Sequence, residues 1–329
     1  MSANRRGKAQ VSAACQFRHG IRAASNRNNF GHIGPIKWQH MQSHSTDIPY
    51  ADRMADRSTP TPEPGQLDIS AMNTGIPHPA RVYDYFLGGK DNFEADRTAG
   101  EAAIKAFPKT AESARAARAF LRRVVHFLAT EAGIRQFLDI GTGLPSGENV
   151  HEVAQAAAPE AKVVYVDNDP IVLRHAQALL TSTTQGATSY LSADVRDPET
   201  ILAQAATTLD FSQPVALLLM GILHSVDDRF DPRGIVRRLV QALPGGSYLA
   251  ISHLTADIYP EMTEFAAALN ERNLEASMWL RDHAQVASFF DGLDLVEPGV
   301  VQLSKWRPQS GREADAAAAL WGGVARKPL

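Results

Sequence analysis

The sequence predicts an α/β fold in which a mostly parallel sheet carries helices on both faces. Two observations support this prediction. Short apolar runs alternate with segments of helical periodicity from about residue 80 to the end of the chain, and several of these runs are apolar throughout. Regular alternation of strands and helices is typical of parallel sheets. A strand without polar alternation is expected where helices cover both faces of the sheet.

The predicted strands are short apolar runs, each bounded by turn residues or by a helical segment. Five of them are RQFLDI (135–140), AKVVYVD (161–167), TSYLSAD (188–194), PVALLLMGIL (214–223) and GSYLAISHL (246–254). Two later segments, DLVEPGVV (294–301) and LWGGVARK (320–327), are predicted to form a strand pair.

The predicted helices fill the intervals between the strands. Apolar residues at helical spacing form a stripe through 116–133, and Gly133 is suited to end that helix. Asp169 and Pro170 are expected at the N-cap and at the first helical position after the second strand. The remaining helices are predicted at 150–158, 171–180, 198–209 and 232–243, near 261–272 and near 282–291.

The composition limits the classes of function. The chain has 329 residues, 44% of them hydrophobic, and no run approaches the roughly 18 apolar residues that a membrane span needs. Cys15 is the single cysteine, so an internal disulfide and a cysteine zinc site are excluded. We therefore expect a cytoplasmic protein that does not interact with membranes.

The N-terminal part of the chain differs from the rest in charge and pattern. Residues 1–46 hold seven basic side chains and no acidic one, whereas the remainder of the chain is net acidic and argues against a nucleic-acid partner. We predict that residues 1–71 are a disordered extension, or that translation starts later, at Met41, Met54 or Met72. A nucleic-acid arm and a transit peptide are the alternatives. Residues 72–329 would then form the folded domain.

Polar residues collect where the predicted strands end. The strand ends carry Asp139 to Gly143, Asp167, Asp194, Gly221 to His224, and Ser252 with His253. In parallel α/β sheets, ligands bind outside the carboxyl ends of the strands. The sequence therefore predicts a binding site along this edge of the sheet.

The glycine loop after the first strand does not match a dinucleotide site. Gly141 and Gly143 suit a tight turn that a ligand can approach closely. A dinucleotide fingerprint requires a third glycine, but Ser146 stands there, directly after Pro145. A phosphate-binding P-loop is excluded because no Gly-Lys-Ser/Thr follows. The two glycines alone are equally compatible with a structural strand-to-helix turn.

Two further aspartates favour a nucleoside ligand. Asp167 ends the second strand about 24 residues after Gly143, close to the spacing of a ribose-binding acid. Asp194 ends the third strand, where it could accept a hydrogen bond from an adenine amino group beside Val195. A helix cap and a loop aspartate are the structural alternatives. Together these features indicate a pocket for an adenosine without pyrophosphate.

Four blocks of the sequence resemble class I S-adenosylmethionine-dependent methyltransferases. They are HPARVYDYFLGGKDNFEADR (78–97), FLDIGTGLP (137–145), VVYVDNDPIVLRHAQALL (163–180) and ADVRDPETIL (193–202). Over about 74–329 the chain is similar to a largely uncharacterised actinobacterial family that once carried a domain-of-unknown-function label. The resemblance implies a Rossmann-like fold with seven strands, the last antiparallel, after an N-terminal helical segment. Gly221 departs from it, because a bulkier residue is expected there; a glycine would enlarge the pocket.

The resemblance implies S-adenosylmethionine as the cofactor. The sequence contains no His-Glu-x-x-His motif and no clustered metal-ligand pattern, so we expect no metal. The residues expected to bind it are Asp139, Gly141, Thr142, Gly143, Asp167, Asn168, Asp194, Val195, Tyr83 and Arg81. Residues 72–133 are expected to form a helical lid over the cofactor, with helix packing as the alternative.

Three residues are the catalytic candidates. His224 and His253 end the fourth and fifth strands, where either could act as a general base. Tyr85 could place an aromatic face against a sulfonium. A structural role is the alternative for all three.

The leading hypothesis is methyl transfer to an oxygen or nitrogen of a small molecule in secondary metabolism. A nicotinamide-dependent oxidoreductase and a non-catalytic regulatory protein that binds S-adenosylmethionine are the alternatives. The sequence leaves the acceptor and the oligomeric state open.

Overall fold

The computed structural model of the protein describes residues 74–145, 147–179, 181–270 and 277–329. These residues belong to a compact unit that spans Leu67–Leu329. The predicted extension 1–71, with its alternative start positions, lies outside the described residues.

The strands form one sheet, as the alternating pattern predicted. They are β1 Gln136–Ile140, β2 Lys162–Asp167, β3 Ala187–Ser192, β4 Ala216–Met220, β5 Tyr248–Leu254, β6 Asp294–Leu295, β7 Val301–Gln302 and β8 Leu320–Arg326. Their order across the sheet is β3-β2-β1-β4-β5-β8-β6, and β7 also pairs with β8.

Strand direction agrees with the predicted arrangement. β1 to β5 run parallel to their neighbours, and β8 pairs antiparallel with β5. Within the described residues there are eight strands rather than the predicted seven. The two-residue strands β6 and β7 both pair with β8, however, so the sheet has seven positions. The predicted pairing of the last two segments is confirmed.

Every helix except the last, a short one at Gly311–Ala314, lies in an interval that was predicted to be helical. The helices are α1 Pro79–Leu87, α2 Glu94–Ala106, α3 Thr110–Thr130, α4 Val150–Ala157, α5 Pro170–Leu179, α6 Pro198–Ala205, α7 Pro232–Gln241, α8 Met262–Asn270, α9 His283–Ala287 and α10 Gly311–Ala314. At the start of α5 the side chain of Asp169 accepts a hydrogen bond from the backbone N–H of Ile171 at 2.8 Å, as the N-cap prediction requires.

Helices cover both faces of the sheet, and the strands are buried on both sides. Phe137 and Leu138 are adjacent in β1 and fully buried in two different apolar clusters. Phe137 packs with residues of α3 and α4, and Leu138 packs with residues of α6 and α7. This double burial explains why the strands lack polar alternation. It also leaves the strand ends as the edge of the sheet at which polar groups gather.

Candidate functional site

The two positions after β1, 141 and 143, require glycine for different structural reasons. Both have left-handed backbone, with φ of 78° at Gly141 and 65° at Gly143. A Cβ atom at Gly141 would lie 2.6 Å from a side-chain carbon of Ile222, so packing against the turn after β4 excludes a side chain there. A Cβ atom at Gly143 would meet no described atom within 4 Å. Gly143 therefore exposes bare backbone to open space, where a ligand can approach it.

Asp167 connects the ends of three neighbouring strands. Its Oδ2 accepts the backbone N–H of Gly143 at 2.9 Å, and its Oδ1 accepts that of Asp169 at 3.0 Å. Its backbone carbonyl accepts the N–H of Ala193, just beyond β3, at 3.2 Å. Burial raises the pKa of Asp167, although the two N–H bonds to the carboxylate oppose this. Each carboxylate oxygen keeps a second lone pair, so the group can still accept donors from a ligand.

Asp139 is a buried carboxyl group that no hydrogen bond from the described residues satisfies. The residue is 6% exposed. Burial raises the pKa of its carboxyl to about 7; the positive charge of Arg118 opposes that shift and the negative charge of Asp167 adds to it. An unsatisfied buried polar group costs free energy unless a ligand completes it. The carboxyl of Asp139 lines an open pocket and thus keeps positions at which a donor from outside the protein can bind.

A small open pocket, of about 290 Å³ including its mouth, lies beside Asp139. Arg118, from α3, stands opposite the carboxyl in its wall and donates hydrogen bonds to the backbone oxygens of Gly147 and Glu148, at 3.0 and 3.1 Å. The other lining residues are Thr142, Gly143, Leu144, Pro145, Asn149, Val150, Tyr165 and Ala176. A pocket with one carboxyl and one guanidinium has the charges that an α-amino acid group requires.

The sequence interpretation missed Arg118. It lies within the predicted helix stripe, where an arginine has no signal that separates a pocket wall from a solvated surface. Only the packing of α3 against the loop after β1 gives it this role.

Asp194 is held by a neighbouring arginine. Oδ1 accepts both the backbone N–H and the Nε–H of Arg196, each at 2.9 Å, and Oδ2 accepts a short bond from Nη2. Burial would raise the pKa of Asp194, but these hydrogen bonds outweigh burial and lower it. Val195 is buried beside it. The structure thus places Asp194 at the end of β3, one residue beyond the Ala193 that bonds to Asp167.

Thr142 and Asn168 lie on the same edge of the sheet. Thr142 is half-buried and lines the pocket, and its hydroxyl makes only a weak contact, at 3.4 Å, with the oxygen of Gly143. Asn168 is exposed, directly after Asp167. The structure therefore brings together eight of the ten residues predicted to bind the cofactor, namely Asp139, Gly141, Thr142, Gly143, Asp167, Asn168, Asp194 and Val195.

The other two predicted cofactor residues, and Tyr85, lie on α1 and have partners elsewhere. Arg81 is buried in an ion pair with Asp96 at 2.8 Å and also donates to the oxygen of Ile76 at 2.6 Å. The ring of Tyr85 packs on α2, where a Cβ atom at Gly100 would lie 2.4 Å from Tyr85 Cδ1. These contacts of Arg81 and Tyr85 lie within the N-terminal helical segment.

Tyr83 and His78 attach α1 to the body of the domain. The hydroxyl of Tyr83 donates to the oxygen of Ala114 in α3 at 3.2 Å, and burial raises the pKa of Tyr83 to about 12, partly offset by the charge of Arg118. Nε2 of His78 lies 3.1 Å from Oδ2 of Asp169, next to Asp167. The start of α1 thus contacts the cap of α5 beside the predicted ribose acid.

His253 does not face the cleft as a free base. It is fully buried; its Nδ1 bonds to the oxygen of Leu254 and its Nε2 to Nη1 of Arg281, both at 2.8 Å. Burial lowers its pKa to about 3, and the nearby His224 and Arg281 add to this effect. A neutral ring whose two nitrogens are both bonded can hold structure but has no position for a substrate proton.

His224 is the histidine that keeps a free position. It is half-buried, and its Nδ1 is buried without a hydrogen-bond partner among the described residues. Burial lowers its pKa to about 4, and the charge of Arg281 acts in the same direction. The ring lies beside Gly221, whose φ of 75° and N–H bond to Ser252 begin the turn after β4. The turn therefore explains the glycine at 221.

The described part of the chain shows neither a cluster of metal ligands nor a helix that could span a membrane. No group of three or more His, Cys, Asp or Glu residues in it is arranged to hold a metal ion. None of the helices located in those ranges is long and apolar enough to cross a membrane.

Comparison with known proteins identifies a family. The profile of a family described as S-adenosyl methyltransferase matches residues 66–328. Among solved structures, a protein of the DUF574 family from Streptomyces avermitilis is 50% identical, with a TM-score of 0.74, over 78% of this chain and 99% of its own. A Thermobifida fusca protein classed provisionally as a methyltransferase is 41% identical, with a TM-score of 0.73, over 80% of this chain and 100% of its own. A search of curated proteins gave no match.

Proposed function

Because the chain belongs to the S-adenosyl methyltransferase family, we propose that it transfers a methyl group from S-adenosylmethionine to an oxygen or nitrogen atom of a small-molecule acceptor. The observation that carries the proposal is the connected edge of the sheet. There, bare backbone at Gly143, the open acceptor positions of Asp167 and the unsatisfied carboxyl of Asp139 lie together.

The groups at this edge fit S-adenosylmethionine from end to end. Asp139 and Arg118 would bind the amino and carboxylate groups of its methionine part. Asp167 would accept hydrogen bonds from the ribose hydroxyls, and Asp194 with Val195 would hold the adenine. When bound, the cofactor supplies an electrophilic methyl group on a sulfonium.

The protein's own contribution to the reaction is mainly positioning. Methyl transfer needs an acceptor atom held close to the methyl carbon and in line with it, and such orientation lowers a barrier by several kcal/mol. His224 is the candidate to take the acceptor's proton, at the nitrogen that has no partner. With a pKa of about 4 it is neutral and weakly basic at neutral pH. We therefore expect activated acceptors, such as phenols or enols, over simple alcohols.

Within the helical segment before β1, we propose that α1 and α2 act as a lid, whereas α3 packs in the hydrophobic core and stays in place. The contact of His78 with Asp169 and the bond from Tyr83 to Ala114 support this, since they seat α1 beside the cofactor groups. Opening would break these few contacts and leave the buried pair of Arg81 and Asp96 intact within the segment.

We further propose that the protein is cytoplasmic, that it acts on a metabolite of secondary metabolism, and that it does not bind nucleic acid.

The variant Asp167→Ala tests the cofactor site. It removes the acceptor for the ribose, and we expect cofactor binding to weaken by about 1.5–3 kcal/mol, the range for hydrogen bonds to a charged group. Calorimetry with S-adenosylmethionine measures this. Asp210→Ala is a matched control, because Asp210 is exposed and its backbone bonds to Gln136 at the start of β1, the opposite end of that strand from the glycine turn. An unchanged dissociation constant in a folded Asp167→Ala protein would remove Asp167 from the site.

A second candidate function is regulation by cofactor binding without turnover. The observation that favours it is the state of the histidines, since His253 is saturated and His224 is weakly basic. Incubation of the protein with methyl-labelled cofactor and an extract of cellular metabolites separates the two functions. Labelled product that disappears in His224→Gln supports catalysis, and tight binding with no product in any extract supports regulation. Binding of NADH in place of S-adenosylmethionine would instead support the oxidoreductase alternative.

A further inference from the structure

We propose that Arg196 is a positioning residue that sets the preference of the site for adenine over other purines. The inference rests on the proposed function, because it concerns the adenine end of the same cofactor site. It comes from three contacts, of Arg196 with Asp194, of Arg196 with Phe230, and of Phe230 with Arg229.

Arg196 uses up the acceptor positions of one carboxylate oxygen and leaves one on the other. Oδ1 of Asp194 accepts two donors, the backbone N–H and Nε–H of Arg196. Oδ2 accepts only Nη2. Since each carboxylate oxygen has two lone pairs, Oδ1 is full and Oδ2 keeps a single free position. A ligand at the end of β3 therefore meets a fixed oxygen that can accept one hydrogen bond and can donate none.

Phe230 holds the guanidinium in place from the other side. The central guanidinium carbon of Arg196 lies 5.0 Å from the centre of the Phe230 ring, within the range of a cation–π contact. Phe230 is a large apolar residue left 40% exposed, in the short helical turn Asp228–Phe230. Burial in the domain core thus does not account for its position, whereas support of Arg196 does. The side chains of Arg196 and Asp194 are 31% and 27% exposed, so a ligand can reach the pair.

This geometry selects a purine with a donor at position 6. Adenine carries an amino group there, which can donate to the free position on Oδ2. Hypoxanthine and guanine carry an oxygen, which would face the carboxylate oxygen without a proton between them. A site built to accept a hydrogen bond from a donor disfavours a ligand that lacks the donor. Without the Arg196 side chain, only the backbone N–H of residue 196 holds the carboxylate, so its orientation is less fixed and this discrimination should weaken.

The test compares binding of S-adenosylhomocysteine with that of its 6-oxo counterpart, S-inosylhomocysteine, by calorimetry. We expect the unaltered protein to prefer the adenosine compound by about 10-fold to 100-fold, the ratio for a hydrogen bond to a charged acceptor. In Arg196→Met this preference should fall several-fold. A simple loss of folding would not narrow it, because the readout is a ratio of two affinities in the same folded protein.

Arg229→Met is the matched control. Arg229 also stacks on Phe230, at 4.9 Å, and it pairs with Asp227 but makes no contact with Asp194. The inference predicts an unchanged preference in this variant. An unchanged preference in Arg196→Met, or an equal loss in both variants, would overturn it.

Two further outcomes have distinct meanings. If Arg196→Met does not fold, Arg196→Lys replaces it, because lysine keeps the charge but not the two-pronged contact. If Arg196→Lys then preferred S-adenosylhomocysteine over S-inosylhomocysteine as strongly as the unaltered protein does, the inference would be overturned. Failure of the unaltered protein to bind either compound would overturn the proposed function itself.

Discussion

At the ends of β1 and β2 the buried polar groups keep open hydrogen-bonding positions, whereas at the ends of β4 and β5 most of them are filled. Asp139 has no hydrogen-bond partner among the described residues, and Asp167 accepts only two backbone N–H groups. By contrast, His253 is bonded at both nitrogens, and Arg281 donates to two backbone oxygens, to His253 and to Asp228.

The contrast separates the ends of β1 and β2, which keep positions open to a ligand, from the ends of β4 and β5, where hydrogen bonds hold the elements together. An open buried polar group costs about 1–3 kcal/mol, so the ends of β1 and β2 would gain stability from a ligand that completes their hydrogen bonds. His224 is the exception at the ends of β4 and β5, because its Nδ1 has no hydrogen-bond partner among the described residues. The comparison therefore agrees with the proposed cofactor site at the ends of β1 and β2.

The largest expected effect is a loss of stability when Arg281, which fills the hydrogen-bonding positions at the ends of β4 and β5, is replaced. Arg281→Met would leave the oxygens of Leu223 and Val226 and Nε2 of His253 without their donors. We expect a loss of roughly 3 kcal/mol in the free energy of unfolding, measured by urea denaturation at neutral pH. Arg229→Met is the control, since that side chain is 72% exposed and should change stability by less than about 0.5 kcal/mol. Equal losses of unfolding free energy in Arg281→Met and Arg229→Met would contradict the structural role given to the ends of β4 and β5.

Asp139→Asn should raise the free energy of unfolding, whereas Arg281→Met lowers it. Because burial raises the pKa of Asp139 from 3.8 to about 7, the folded protein binds this proton more tightly than the unfolded chain does. Ionisation of Asp139 therefore costs stability as the pH rises between these two values. We expect Asp139→Asn to gain stability over the unaltered protein as the pH rises through this window, by about 2 kcal/mol in total, with no further gain above it.

The same variant should bind S-adenosylmethionine more weakly, because the amino group loses its charged partner. Urea unfolding of the cofactor-free protein at several pH values, with calorimetry at neutral pH, measures both effects. Asp210→Asn should show no such gain, since the pKa of that exposed aspartate is lowered by its hydrogen bonds to Ser212. A cofactor affinity unchanged in Asp139→Asn would place Asp139 among the structural groups.

The smallest expected effect compares two glycines with similar backbone. Gly143 and Gly88 have φ of 65° and 81°, and a Cβ atom would meet nothing within 4 Å at either position. Substitution by alanine should cost about 1 kcal/mol of stability in both cases, from the left-handed backbone alone. Only Gly143→Ala should also weaken cofactor binding, because its methyl group would enter the space left for the ligand. Calorimetry and urea unfolding of both variants measure the difference, and equal binding by the two would remove Gly143 from the site.

Local signals made much of this edge predictable. Asp169 and Pro170 begin α5 as expected, because a helix cap involves neighbouring residues. The acidic strand ends at Asp139, Asp167 and Asp194 meet because parallel strands all end on one edge of the sheet. Those features depend on spacing of a few residues or on the topology that the alternating pattern implies.

Contacts between distant parts of the chain were not predictable in this way. Arg81 could as well have reached the cofactor, but Asp96, fifteen residues later, binds it within the N-terminal segment. Tyr85 and Tyr83 are two residues apart on α1, so they point to different sides, and only the tertiary packing decides that Tyr85 contacts α2 and Tyr83 contacts α3.

The sequence by itself determined the strand and helix alternation, the glycine turn and the acidic strand ends, since periodicity and short spacing encode them. The tertiary structure decided which polar groups are saturated. Arg281 forms a hydrogen bond with Nε2 of His253 although it lies 28 residues further along the chain. Arg118 from α3 lines the pocket beside Asp139. Whether a buried donor or acceptor finds a partner depends on which surfaces fold together. For this physical reason, the chemical type of a residue suggests several possible roles, and only its contacts in the folded protein decide between them.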